Sequence, residues 1–209
     1  VKIQPIVEGH GEVEAFPVLL RRLVEKAEVW SVTIGRPIRQ PRGRLVRESD
    51  LKRAIRLALL QPECDAVLVL FDGDSDCPAE LGPSIREWAL AASGKVPCEV
   101  VIAHREYEAW FLAAIESLRG HRRIRSDALS HPNPEQPRGA KSQLESRMEP
   151  GTTYLETTDQ PSFSAGFSLT DAYRRSRSFR KLTVAFSRLV SSMGQEIGEW
   201  PPACWAEET

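Results

Sequence analysis

The sequence predicts an α/β domain, a parallel four-stranded sheet flanked by helices, with a helical C-terminal extension. Three observations carry this. Residues 66–71 are an uninterrupted apolar run rich in Val and Leu, the pattern of a strand buried on both faces. Up to Ile102, apolar runs alternate with stretches of helical periodicity in the order β-α-β-α-β-α-β, which implies parallel neighbours joined by right-handed crossovers. Acidic residues crowd just beyond two of the strands, where open α/β sheets bind their ligands.

Taken in order, residues 2–7 form a short strand and Glu8-Gly9-His10-Gly11-Glu12 the turn beyond it. Gly9 and Gly11 admit conformations there that other residues resist. Leu19, Leu20, Leu23 and Val24 give a helical stripe. Pro17, tolerated only in a first turn, places the start of that helix near Val13 and leaves Glu8 and Glu12 in the loop. Residues 30–34 read as a second strand. The basic loop 36–47, with Pro37, Pro41 and Gly43 and no periodicity, is expected to be mobile. Ser49 is the expected cap of a helix striped by Leu51, Ala54, Ile55, Ala58 and Leu59.

The central strand follows, then a helix beginning by Pro83 that buries Ile85, Trp88, Ala89 and Ala92. Residues 98–102 are the fourth strand. Tyr107, Trp110, Phe111, Ala114, Ile115 and Leu118 mark a further helix, and residues 119–138 are an irregular insertion rich in Arg and Pro. Phe179, Leu182, Phe186, Leu189, Val190 and Met193 define a closing helix, beyond which the tail after Gly198 is expected to fray. Residues 1–118 are thus expected to form the α/β domain with the acidic site. Residues 119–209 form the insertion and helical extension, packed on the same core. There are no internal repeats.

With 41% hydrophobic residues, seven Phe and five Trp, a chain of 209 residues can bury an ordinary core. No apolar run approaches the roughly 18 residues that span a bilayer, and no signal peptide is expected before the first strand. Val1 stands where a start methionine is expected to have been removed or omitted. Cys64, Cys77, Cys98 and Cys204 show no CxxC spacing, so reduced thiols in a cytoplasmic protein are expected rather than disulfides or zinc.

The net charge of −1 conceals segregation. Residues 36–56 hold eight Lys or Arg against Glu48 and Asp50, and Arg119, Arg122, Arg123 and Arg125 form a second cluster. Residues 174–181 hold five cations and no acid. Acids gather at the strand ends and in the tail, at Glu196, Glu199, Glu207 and Glu208. Single charge runs are usually solvated faces, but three basic clusters around one acidic centre favour a polyanionic substrate. Arg39, Arg42, Arg44, Arg177, Arg180 and Lys181 are the candidate nucleic-acid contacts.

The acidic centre joins Glu8 and Glu12 after the first strand to Asp72, Asp74 and Asp76 after the third. Carboxylates so crowded repel one another unless a cation sits among them, and oxygen-only ligands select magnesium or manganese. First and third strands are commonly neighbours at a switch point, which would bring Glu8 and Asp72 to one ion. Glu106 or Glu108 could add a further ligand. In a helix turning about 100° per residue the two point roughly oppositely, so only one faces the site.

Rival readings fail or weaken on spacing. A calcium loop needs Gly and Glu where Cys77 and Pro83 stand. A dinucleotide fingerprint needs a small residue in place of Glu14. A haloacid-dehalogenase-type phosphatase carries its DxD on the first strand, and a DxD sugar transferase leaves Glu8 unexplained.

Val7-Glu8-Gly9-x-Gly11-Glu12 followed by Asp72-x-Asp74 resembles the Toprim domain of topoisomerases, bacterial primases, recombination-repair proteins and the overcoming-lysogenization-defect nucleases. His104-Arg105-Glu106-Tyr107-Glu108-Ala109-Trp110-Phe111, Gly139-Ala140-Lys141, Asp159-Gln160 and the stretch 176–181 resemble a bacterial Toprim-like group of unknown function, domain of unknown function 4276. The resemblance implies a Toprim-like (Rossmann-like) fold and a magnesium-dependent nuclease. It implies Glu8 as metal ligand or general acid/base, Asp72 and Asp74 as magnesium ligands, Glu12 as the second acid of the nuclease branch and Lys141 as the assisting base. His10 is an alternative proton acceptor, and no tyrosine has the context of a nucleophile. Expected partners are nucleic acid, DNA ahead of RNA, and an ATPase from another chain, since this one lacks a P-loop. A homodimer is a further candidate assembly, and phage defence the role the resemblance suggests. The alternative function is a nucleic-acid-binding or complex-forming module that does not cleave.

Overall fold

A computed structural model describes residues 1–206. Five parallel strands form one sheet in the order β2-β1-β4-β5, with β3 also pairing β1. The strands are β1 Lys2–Val7, β2 Thr33–Ile34, β3 Ile38–Arg39, β4 Ala66–Asp72 and β5 Cys98–Ala103. Helices α1 His10–Lys26, α2 Arg42–Leu45, α3 Glu48–Leu59 and α4 Pro78–Ser93 make the crossovers. The chain then continues as α5 Ala109–Ala113, a 3₁₀ turn Ile115–Leu118, α6 Ala140–Glu145, α7 Glu156–Gly166, α8 Leu169–Arg175, α9 Arg177–Ser192 and α10 Ala203–Ala206. This is a Rossmann-like parallel α/β sheet flanked by helices.

Every residue of β4 is buried, and its alternation divides the core. Ala66, Leu68 and Leu70 face the cluster built on α1 and the C-terminal helices, while Val67, Val69 and Phe71 face α3 and α4. The first cluster draws on residues from both sides of position 118, from Phe16 to Phe186.

The fifth strand arises from Pro5. Odd residues of β1 turn their backbone groups toward β2 and β3, since Ile3 O accepts from Gly35 N and Val7 O from Gln40 N. Pro5, between them, has no N–H to offer on that side. The neighbour therefore pairs as two short pieces, β2 at Lys2 and Ile3 and β3 at Ile6 and Val7. The expected strand from Trp30 shrinks to two residues, with Trp30 itself 70% exposed. The stretch read as a mobile loop carries β3 and α2 instead.

Both helix starts inferred from proline are earlier than expected. Pro17 lies inside α1, which begins at His10, so Glu12 is in the first turn of the helix and not in the loop. Pro83 lies inside α4, which Pro78 opens. In each case the lost backbone bond is outweighed by burial of the whole helical face. Ser49 does not cap α3, because Arg47 occupies that position. The helix expected over 107–118 breaks at Ala114, with φ −126°, into α5 and the 3₁₀ turn. The tail does not fray as far as Ala206: Trp205 is buried and its ring lies 5.4 Å from that of Trp200, whose indole N–H donates to Thr183 O. Glu207 and Glu208 lie outside the described residues.

Two glycines of α1 are there for space. Gly9, with φ −96° and ψ 170°, has a backbone any residue adopts, but a Cβ on it would sit 2.3 Å from Glu12 Oε2. A Cβ on Gly11 would sit 2.0 Å from Gln160 Oε1 and 3.0 Å from Glu156 O, where α7 crosses α1. Gly11→Ala should therefore destabilise by about 1–3 kcal/mol, the cost of overpacking. Gly43→Ala in α2, where a Cβ meets nothing within 4 Å, should be neutral or stabilising by up to about 1 kcal/mol. Urea denaturation of the two variants checks the contrast.

Candidate functional site

The carboxyl ends of β1 and β4 lie side by side, and this places Glu8 against Asp72. Glu8 Oε2 accepts from the Asp72 backbone N–H at 3.1 Å. Asp72 is 8% exposed, and its Oδ1 accepts from the backbone N–H of Tyr107 at 2.9 Å. Glu12 comes up from the first turn of α1 and is 7% exposed, with Oε2 buried and unpartnered. Glu108 is fully buried. Its Oε1 accepts from Tyr154 Oη at 2.9 Å and Gln160 Nε2 at 3.3 Å, while its Oε2 is also unpartnered. Of the pair two residues apart, Glu108 thus faces the site. Glu106 instead accepts from Gly139 N and Lys141 N at the start of α6 and lines a separate recess with Asp74.

The electrostatics are those of a site short of positive charge. Burial pushes Glu8 and Glu12 above the ordinary carboxylate range, and it pushes Asp72 well above, reinforced by Glu108, Glu12 and Glu8. Burial carries Glu108 up to about 7, against the pull of Lys141. Burial also disfavours the Lys141 ammonium, but Glu108, Glu156 and Asp72 outweigh it and hold the lysine above its usual value. An ordinary ion pair would lower its acid. Here Glu108 stays raised, so the one lysine does not neutralise the carboxyl cluster around it. Lys141 Nζ itself pairs with Glu156 Oε1 at 2.7 Å.

Asp74 and Asp76 stand apart from this buried set. Both are about half exposed and both pair with Arg42, which also donates to Asp72 O at 2.9 Å and Gly73 O at 3.2 Å. The cation that the acidic turn requires is thus supplied by the basic loop. Asp74 remains within electrostatic reach of Glu8 and has φ +49°, a conformation uncommon outside glycine. His10 is exposed at the start of α1.

The expected nucleic-acid contacts divide likewise. Arg39, Arg44, Arg177 and Lys181 are exposed. Arg42 is committed to the acidic turn, and Arg180 donates to Tyr173 O and Arg174 O at the end of α8, so neither is free for phosphate. In the second basic cluster, Arg122 pairs with Asp159 and Arg125 with Asp127.

The residues that sequence reasoning left without a role are Tyr154, Glu156 and Gln160. The pair Asp159-Gln160 was visible as a motif, but its contact with Glu108 and Gly11 depends on α7 crossing α1. The donors are oxygen only, and two of the buried carboxylate oxygens have no partner, which fits a hard divalent cation. Yet among the described residues no three His, Cys, Asp or Glu are arranged as a ligand set. The electrostatic cluster is therefore wider than a coordination sphere, and holding an ion would draw the carboxylates inward.

Residues 7–186 match the family described as "Domain of unknown function (DUF4276)". The chain belongs to that family. Comparison with curated proteins and with solved structures finds no match.

The raised Glu108 has a measurable consequence. Its folded-state value of about 7 lies above the ordinary 4.5, so the folded state holds the proton more tightly. Stability is greatest where the group is protonated in both states, and it falls as pH rises from about 4.5 through about 7. In metal-free buffer the contribution amounts to about 3 kcal/mol at most. Between pH 5 and 8, the parent should lose more stability in urea titrations than Glu108→Gln. Parallel curves would mean that Glu108 ionises normally in the fold.

Proposed function

We propose that this DUF4276 protein is a magnesium- or manganese-dependent nuclease working through a Toprim-like acidic site. The observation that carries the reading is the buried carboxyl cluster at the adjoining ends of β1 and β4, with a single lysine beside it. Glu8, Asp72, Glu12 and Glu108 would hold the ion. Once bound, such an ion polarises a phosphoryl oxygen and makes a water acidic enough to attack.

The chain's own residues supply the rest. Tyr107 N–H and Asp72 N–H orient Asp72 and Glu8 respectively, and Tyr154 and Gln160 fix Glu108. Glu12, raised by burial and with one free oxygen, is placed to take a proton from a nucleophile. Lys141, tethered by Glu156, is placed to offset charge developing on a phosphate. Asp74 and Arg42 shape the rim. Arg39 and Arg44, exposed and without an ion pair among the described residues, offer charge to a nucleic-acid backbone, DNA ahead of RNA. Among the described residues no helix is long and apolar enough to cross a membrane. A partner ATPase, a homodimeric assembly and a role in phage defence rest on the Toprim likeness.

A second reading, a Toprim-like module that binds without cleaving, is favoured by one observation. Arg42 already occupies Asp74 and Asp76, and no ready ligand set stands among the described residues.

Nicking of supercoiled plasmid with magnesium or manganese, alone and with an ATPase encoded beside it, separates the two. Melting curves of Asp72→Asn test the site itself. Asparagine keeps the acceptor for Tyr107 N–H and removes repulsion, so the metal-free variant should be as stable as the parent or slightly more so. Magnesium at a hundred times its Kd should stabilise the parent by about 2.7 kcal/mol. The variant should lose most of that gain and all nicking. Equal stabilisation of both proteins by magnesium would place the ion elsewhere. Stabilisation without nicking, even with the ATPase, would favour the second reading.

A further inference from the structure

A second recess lies just beyond the carboxyl end of β5, where Ile102, His104 and Arg105 line it. It is a cavity of about 320 Å³, opening between the first turns of α4 and α9, and none of Glu8, Glu12, Asp72 and Glu108 lines it. Ile102, Pro78 and Ala79 give it an apolar wall. Arg105, Arg177 and Lys181 give it three cations.

These cations have little else to do. Arg177 and Lys181 are four residues apart on α9 and so share a face, and among the described residues neither side chain has a hydrogen bond or ion pair. Arg105 is held at φ +68° and gives one weak bond, to Asp74 O at 3.4 Å, while its Nε is buried and unpartnered. The single acid in the lining, Glu135, is anchored through one carboxylate oxygen. Its Oε1 accepts from Ser176 Oγ and Ser178 N, both at 2.7 Å, which caps α9. The opening of α4, sixteen residues long, adds the positive end of its dipole.

Charge of this kind suits phosphate, and guanidinium planes also stack on bases. The amides of Asn133 and Gln136 at the rim can pair with a base edge. The volume lies near the low end of the ~300–1,000 Å³ typical of ligand pockets, enough for one nucleotide.

We propose that this cavity binds a nucleoside monophosphate, with the phosphate on Arg105, Arg177 and Lys181 and the base against Ile102, Pro78 and Ala79. The same chemistry could arrive as a free nucleotide or as the phosphorylated 5′ end of a nucleic-acid strand. The proposal does not depend on the acidic site being a nuclease.

Calorimetric titration of the full chain in metal-free buffer tests it. The probes are adenosine 5′-monophosphate, adenosine, inorganic phosphate, and a short oligodeoxynucleotide with and without a 5′-phosphate. The nucleotide or the phosphorylated strand should bind at least about tenfold more tightly than adenosine, phosphate or the unphosphorylated strand, the factor expected from a charge-assisted hydrogen bond. Tight binding of the phosphorylated strand alone assigns the strand end, and equal binding of the free nucleotide assigns the nucleotide. Arg177→Gln with Lys181→Gln, both on exposed side chains, should weaken binding by at least about tenfold. Ala79→Phe, which fills the cavity, should do the same. Asp72→Asn should bind the nucleotide as the parent does, whatever becomes of its nuclease activity. Adenosine or bare phosphate binding as tightly as the nucleotide would overturn the proposal. So would unchanged affinity in either cavity variant, or no binding by any phosphomonoester.

Discussion

Three buried carboxyl groups and the half-buried Glu8 crowd beside one half-exposed ammonium group, and much of the surrounding structure serves to make that tolerable. Ionised carboxylates out of water are costly unless paired or hydrogen-bonded. Each is therefore anchored or raised: Glu8 by the Asp72 N–H, Asp72 by the Tyr107 N–H, and Glu108 by Tyr154 and Gln160. What remains is an excess of acid that Lys141 cannot neutralise, with Glu12 Oε2 and Glu108 Oε2 left without partners.

The arrangement depends on two placements. β1 lies beside β4 in the sheet, so the residues just beyond them meet at the carboxyl edge. The C-terminal extension then closes the site from above. α7 lies so near α1 that Gly11 has no room for a methyl group, and it delivers Gln160 and Glu156 to Glu108 and Lys141. The extension is thus a wall of the site. Outside this inner set, Arg42 clasps Asp74 and Asp76, so the acidic turn that dominates the sequence forms the rim, and Glu12 and Glu108 form the interior.

The parts legible in the sequence were those set by local pattern. The apolar run of β4 and the alternation of strand and helix follow from periodicity, and the juxtaposition of Glu8 with Asp72 from the usual neighbouring of first and third strands at a switch point. Proline was read too strictly, because tertiary burial carries α1 through Pro17 and α4 through Pro83. It was also read too little, because Pro5 splits the neighbouring strand and gave no warning in composition. Arg42 looked like one cation among eight. Nothing local distinguishes it from Arg39 or Arg44, and only its position above the β4 turn does so. Glu108 was recognisable as one of two alternatives, whereas Tyr154 and Gln160 become partners only through packing across long separations in sequence.

The account turns on where a divalent cation goes. Anomalous diffraction from crystals of the full chain soaked in manganese tests this most directly. The expected result is a peak bounded by Glu8, Asp72 and at least one of Glu12 and Glu108, with Arg42 still on Asp74 and Asp76. A peak on the Asp74–Asp76 turn with Arg42 displaced, or no peak at the cluster under saturating manganese, would contradict it.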